Sequence, residues 1–414
     1  MVEASHLSIH AYLLLGTRNL LRNPHRSALT LASLIVGIAG LTFLSAMNDG
    51  WLREMKSNFI LTLNGHLQIH AQGFEAFQDL KRSIREPAKI GAMLESDPEV
   101  MAWTPRVRAS GLAVLAGKHT NVQIMGVDPA REPRVTRLRE CVTQGSWLHH
   151  DAPTGLLMGV SLAQTIGAQI GSRVVLMTQG SGGEMSSEVF YLRGILCAGT
   201  PQIDRVLAIV NLPVAQQWLA MDEAITDIVI RADSHAVTDT LYQRLSASLS
   251  GEDFEIIRWQ DLDPMVRQWL QFSRAYTLVI ILVVMVLVIV EVLNTMLMAL
   301  HERSREIGMM TALGTRRRQL FNMLLLESSI LVTVGAFIGS AAGVAAVLLF
   351  ARTGIDLSGF ANAFEFFYMN PIIRPVLTAA SALQIITTTL VTALIAGLYP
   401  AWRASRILPV TALR

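Results

Sequence analysis

HERSREIGMMTALGTRRRQ, residues 301–319, is polar and basic, and a long apolar run lies on each side of it. Glu302, Arg303, Arg305 and Glu306 give a charged start. Ile307, Met310 and Leu313 recur at spacings of three, which places them on one helical face. Gly314 suits the left-handed position just past a helix end, and Thr315 suits the cap of the next helix. Arg316, Arg317 and Arg318 follow where the chain re-enters apolar surroundings. A loop that only carried positive charge would need the arginines but neither the apolar stripe nor the sharp stop. The segment reads as a short amphipathic helix lying along a membrane surface and offered to a partner's groove.

The flanking runs belong to a chain too apolar for an ordinary soluble enzyme: of 414 residues 51% are hydrophobic and only 16% charged, with mean hydropathy +0.42. A net charge of +2 gives no reason to expect a nucleic-acid partner. Four stretches reach the roughly 20 apolar residues that cross a bilayer as helix: 27–48, 275–300, 320–351 and 376–401. The first is too long for a signal-peptide core and lacks a small-x-small cleavage site, so it reads as a retained anchor. Lys and Arg favour the cytoplasmic side. Arg18, Arg22 and Arg26, the arginines of 301–319, and Arg403, Arg406 and Arg414 fall on one side when there are four spans. The expectation is therefore a bacterial inner-membrane protein with both termini cytoplasmic. Residues 301–319 form a cytoplasmic coupling helix, and 402–414 a cytoplasmic tail. Segment 49–274 and the short loop 352–375 lie outside. Within residues 1–26, the stretch 7–23, ended by Pro24, reads as an interfacial amphipathic helix.

The outer segment alternates strand-like and helix-like runs. HLQIH (66–70), AKIGAMLES (88–96) and VMAWTP read strand–helix–strand, and so do DIVIRA (227–232), residues 234–250 and FEIIRW (254–259), with Ser234 as a cap. The two units flank a more β-rich middle. This predicts an α/β part built from 49–104 and 223–274, with a β-rich part, 105–222, inserted in it. The fold class is thus four transmembrane helices plus a large extracytoplasmic α/β domain.

The chemistry of the sequence is sparse. The nearest match to a phosphate-binding loop, GLAVLAGKHT (111–120), has its glycines one residue too far apart and His119 where Ser or Thr would hold magnesium. ATP and magnesium are expected on a separate ATPase chain, with no catalytic, cofactor or metal site here. HHD (149–151) reads as a surface turn. Cys141 and Cys197 both fall in the outer segment, where a disulfide can persist, and their spacing does not decide whether they meet. Two acids interrupt the spans. Glu327, near the cytoplasmic boundary, is expected to be tied to backbone or arginine. Glu291, deeper, is either a functional group facing a cavity or a protonated structural one. Gly335, Gly339 and Gly343 make a flat stripe suited to close helix packing, and Ser33 with Gly37 a shorter one.

HERSREIGMMTALGTRRRQLFNMLLLES resembles the ERxREIGxxxALG segment of FtsX-like ABC permeases, the MacB/LolCE group. GLYPAWRASRILPVTALR (397–414) resembles that group's C-terminal ending. RNLLRNPHRSALT (18–30), GHLQIHAQGF (65–74) and GTPQIDR (199–205) are most similar to its lipoprotein-releasing branch. The resemblance implies an ABC ATPase dimer pushing on residues 302–314, a second permease chain (identical or homologous), and mechanotransmission to the outer domains. Lipoprotein or other lipid-anchored cargo would leave the outer leaflet, with a periplasmic chaperone or acceptor to receive it. Two alternatives stand beside this: a MacB-like efflux permease, and an FtsX-like relay that controls a periplasmic enzyme. MacB-type members carry a fused ATPase domain and FtsX itself a smaller outer domain, both departures from this sequence. Glu291 stands where the group is expected to have a small or apolar residue.

Overall fold

The computed structural model describes residues 24–199, 201–249, 253–356, 359 and 372–406. The interfacial helix expected over 7–23, most of the loop 352–375 and the end of the tail lie outside the described residues. Contacts divide the chain into two compact units, one built from residues 24–52, 270–356 and 372–406, the other from 53–269.

Four helices, Pro24–Phe59, Pro264–Glu302, Arg317–Thr353 and Ala379–Ser405, are each long and apolar enough to cross a membrane. They do not share the bounds expected from hydropathy. The first two have 36 and 39 residues, which at about 1.5 Å per residue greatly exceeds a hydrocarbon core of roughly 30 Å. Hydropathy marks only the part that needs lipid; the helical hydrogen bonding continues through polar flanks. The second helix begins at Pro264, whose fixed φ and missing N–H suit a first turn. The fourth begins three residues later than expected. Val376 N–H instead donates to the Ala46 carbonyl (2.9 Å). Thr378 donates its N–H and hydroxyl to Asp49 Oδ2 (3.2 and 2.8 Å), while its Oγ1 caps the helix by accepting from Ser381 N–H.

In the first unit a buried face on each helix meets the others through Leu34, Val292, Met296, Leu331, Val332 and Ala396. Leu278, Leu282, Val286 and Val290 on the second helix, and Leu383, Leu390 and Leu394 on the fourth, stay exposed. Apolar faces left outward on helices of this length suit contact with lipid.

The second unit holds ten strands among the described residues: β1 (Leu67–Ala71), β2 (Val100–Leu115), β3 (Lys118–Val127), β4 (Val142–Gly145), β5 (Gly155–Gly159), β6 (Arg173–Gln179), β7 (Met185–Leu196), β8 (Leu207–Asn211), β9 (Asp227–Ala232) and β10 (Phe254–Arg258). At one end the order is β10-β1-β9-β2, every neighbour antiparallel. The two strand–helix–strand units therefore interleave, each crossing over a strand of the other, as in a split βαβ arrangement. Their helices, Pro87–Glu95 and Thr238–Ser248, bury Ile90, Leu94, Leu241 and Leu245. The cap expected at Ser234 is not made. A turn of 3₁₀ helix, His235–Val237, intervenes, and Val237 occupies the cap position of the α-helix without a side-chain bond.

The remaining strands close a ring: β2 pairs β3, β3 pairs β8, β8 pairs β5, β5 pairs β7, β7 pairs β6, and β6 returns to β2. The β-rich part is a six-stranded barrel, and β2 belongs to both halves. The boundary expected between 104 and 105 thus falls inside a single strand. β2 changes neighbour along its length, pairing β9 up to Arg106 and β6 from Gly111. A Cβ at Gly111 would lie 2.4 Å from the Met177 carbonyl, so only glycine lets β6 approach there. The AGKHT stretch is the β2–β3 hairpin, with Ala116 and Gly117 both at positive φ as a two-residue turn of the strand-matched hand requires.

Candidate functional site

Residues 301–319 form a helix, Ser304–Ala312, set off from the preceding one by a break at Arg303. Its end is a Schellman turn. Thr315 N–H donates to the Met310 carbonyl (3.0 Å) and Gly314 N–H to that of Thr311 (3.1 Å), with Gly314 at φ +99°. Capping of the next helix falls to Arg316 rather than Thr315. The Gln319 side chain accepts from Arg316 N–H at 3.0 Å.

The helix face differs from the one expected at spacing three. Ile307 is 3% exposed and Met310 is half-buried, both packed into the core of the membrane unit. Leu313 is 89% exposed and Met309 50% exposed. Leu313 therefore does not share the buried face of Ile307. It stands one helical turn from Met309, and these two offer the apolar surface that points away from the chain's own core. Periodicity missed Met309, because it allows either of two adjacent faces. Glu302 and Arg305 are exposed beside this surface.

Arg303 fastens the segment to the third span. Its Nε lies 3.4 Å from Glu306 and its Nη1 3.5 Å from Glu327, which is 4% exposed. A buried acid inside a span is costly alone and is here paired with a cation from the segment below it. Glu291 is not paired in this way. It lines a groove of mixed character with His25, Leu29, Thr30, Asn294, Thr295, Met298 and Glu302, and no hydrogen bond or ion pair joins it to another described residue. Beside it Thr30 and Thr295 share a hydroxyl–hydroxyl bond of 2.8 Å between the first and second spans. Asn48, bonded to Thr277 and Ser273, repeats that junction at the other end.

The glycine stripe of the third span packs on the first span of the same chain. A Cβ at Gly335 would meet Leu34, at Gly339 the Ile35 carbonyl (2.9 Å), and at Gly343 Thr42 (2.6 Å). The face it meets is Leu34–Ile38–Thr42. Ser33 is exposed, and a Cβ at Gly37 would have nothing within 4 Å; the shorter stripe thus takes no part in this contact. A second small-residue contact has no glycine repeat to announce it in the sequence. Gly397 lies against Ser328 and Leu325, with Ala393, Ala396, Ala401 and Ala404 buried around it.

In the outer unit a charged network ties the end of the first helix to the sheet. That helix ends in a π turn, Ile60–Asn64. Its free carbonyls at Leu61 and Leu63 accept from Arg137 N–H and from Arg106 Nη1, both at 2.6 Å. Arg106, 2% exposed, also forks onto the buried carboxylate of Glu132. Arg108 forks onto Asp227 at 2.7 and 2.9 Å and reaches Glu75 at 2.6 Å. His70 Nδ1 lies 2.6 Å from the same Asp227. Burial opposes the charge of Asp227, but Arg108 and His70 outweigh it and hold the carboxyl well below the usual range. Burial likewise opposes the charge of Arg108, and Asp227 with Glu75 overturns that. The Asn211 amide meets the carbonyls of His149, Ala152 and Pro153, which fixes the HHD turn.

The chain thus combines four long apolar helices, an amphipathic helix between the second and third, and a large α/β domain. Comparison with known families identifies its class. Residues 27–248 match the MacB-like periplasmic core domain and residues 278–409 the FtsX-like permease C-terminal domain. The chain belongs to the FtsX-like, MacB-type permease family and is an ABC transporter permease of the LolC/LolE or MacB type. It is 24% identical to the lipoprotein-releasing system transmembrane protein LolC of Xylella fastidiosa over 95% of both chains. It is also 24% identical to the macrolide export ATP-binding/permease protein MacB of Bdellovibrio bacteriovorus, over 96% of this chain and 61% of that one. The solved periplasmic region of MacB from Actinobacillus actinomycetemcomitans aligns with 51% of this chain and 94% of its own, at 13% identity and a TM-score of 0.36.

Proposed function

We propose that this chain is the permease subunit of a lipoprotein-releasing transporter in the bacterial inner membrane, with both termini in the cytoplasm. A separate ATPase dimer binds ATP and magnesium, and a second permease chain, identical or homologous, completes the channel for cargo. The observation that carries this reading is the match to LolC, which runs through both chains almost from end to end.

The geometry supports a mechanical route. Closure of the ATPases pushes on Met309 and Leu313. Ile307 and the Arg303–Glu327 pair pass the displacement to the third span. The glycine stripe, with backbones in near contact, passes it to the first. Cargo with an acyl anchor leaves the outer leaflet for a periplasmic chaperone or acceptor. Depletion of the chain should leave lipoproteins in the inner membrane; normal sorting on depletion would overturn the reading. A second reading, export of a soluble amphiphile, is favoured by the equal identity to the macrolide exporter. It predicts instead that depletion sensitises cells to macrolides while sorting stays normal.

A further inference from the structure

Cys141 and Cys197 stand 56 positions apart, with nothing in their spacing to link them. The fold puts them side by side. β4 and β7 run antiparallel with Val142 opposite Leu196. One step outward in that register, Cys141 faces Cys197, and the ladder continues there: Cys197 N–H donates to the Cys141 carbonyl at 2.8 Å. Residues directly opposite on antiparallel strands point to the same face, with Cα atoms about 4.5–5.5 Å apart. Disulfides form at Cα separations of roughly 4.4–6.8 Å. Both residues are free thiols in the structure, Cys197 exposed and Cys141 half-buried.

We propose that Cys141 and Cys197 are an oxidisable pair that closes to a cross-strand disulfide at the edge of the barrel. The inference rests on the reading that residues 49–274 lie outside the cytoplasm, where protein disulfide oxidants operate. The oxidant is a protein or small-molecule disulfide. The exposed Cys197, as thiolate, attacks one of its sulfurs, and the other leaves as a thiolate that takes up a proton. Cys141 then loses its proton, attacks Cys197 Sγ, and releases the remaining oxidant sulfur as a thiol. Two thiols are oxidised to one disulfide, and one disulfide is reduced to two thiols. An oxidant reaches the exposed Cys197 first, and Cys141 is half-buried. Burial, and then the nearby Asp204, push the Cys141 thiol up to about 11. Asp204 is held beside the pair by accepting from Ala198 N–H at 2.8 Å.

The bond would pin a segment that matters to the domain. Residues 128–141 lie between β3 and the edge strand β4. They carry Glu132, which holds Arg106, and Arg137, which holds the Leu61 carbonyl at the end of the first helix. Closing the pair fixes the C-terminal end of that segment to β7.

The test uses the full-length chain purified in detergent, fully reduced and then incubated with oxidised glutathione. Free thiols are trapped with a maleimide, and the chain is digested for mass spectrometry. The expected result is one Cys141–Cys197 peptide pair two hydrogens lighter than its thiols, with loss of both maleimide additions until reductant is added. Cys197→Ser should leave Cys141 free to label. Full labelling of both cysteines after oxidation, or links only between chains, overturns the proposal. The same trapping on acid-quenched cells separates geometry from location. A bond in both samples supports the proposal. A chain that oxidises with glutathione but is reduced in cells overturns the outer location on which it rests.

Discussion

At Leu313 the side chain is almost wholly exposed, while Met310, which spacing places on the same face, is half-buried in its own unit. The two positions should therefore fail differently when charged. Leu313→Asp or Met309→Asp should weaken association with the ATPase by about tenfold or more, the scale of a central interface residue. The thermal midpoint of the detergent-purified chain should not move. Met310→Asp should lower that midpoint as well, because it buries a charge. Equal stability of all three variants would refute this division of the face. In the outer unit, Asp227 gives a pH signature. Its folded pKa lies below the ordinary value of 3.8. The stability it contributes is thus full above the carboxylate range and is lost as pH falls through the folded value. Unfolding of the full chain should become easier below about pH 4, and Asp227→Asn should flatten that fall. The same substitution should cost about 3–5 kcal/mol at neutral pH, the usual cost of breaking a buried pair.

The third span meets the first where backbone atoms nearly touch, so bulk there is not absorbed by a side-chain rotation. Gly339→Leu should destabilise the chain by about 1–3 kcal/mol or more, as overpacking does. Gly37→Leu, with open space around its Cβ, should leave the isolated chain unchanged; the comparison is read by thermal unfolding in detergent. The two glycine patterns also show what sequence can say about an element. Three glycines at spacing four announce a close approach, since they leave a helix without side chains on one face. They do not announce the partner, because Leu34, Ile38 and Thr42 look like any apolar turn. Ser33 and Gly37 match the same pattern but face away from the contact. The helix 304–312 and its stop at Gly314 were legible because backbone chemistry is local. Which side of it stays exposed was not, because neighbouring spans decide that. Arg108 and Asp227 lie 119 positions apart, and their pairing exists only once β2 and β9 are neighbours.

At the scale of the whole molecule, hydropathy located the four long apolar helices but not their ends, whose polar flanks stay helical. The echo between the ends of the outer segment was legible as two strand–helix–strand units. Their interleaving and the closure of the barrel were not, since both depend on pairings between distant strands. The sharing of β2 has a practical consequence for protein surgery. A chimera that exchanged residues 105–222 as a cassette would remove Arg106 and Arg108 along with the barrel. Asp227 and Glu75, both left in the host, would lose their arginine, and the Leu63 carbonyl its donor. A transplant that keeps residues 100–110 of the recipient, and joins the donor at Gly111 where the strand changes neighbour, leaves those pairs in place, provided the donor supplies a carboxylate at Glu132 for Arg106 and an N–H at Arg137 for the Leu61 carbonyl. The first of the two joins between the modules therefore falls at a single glycine.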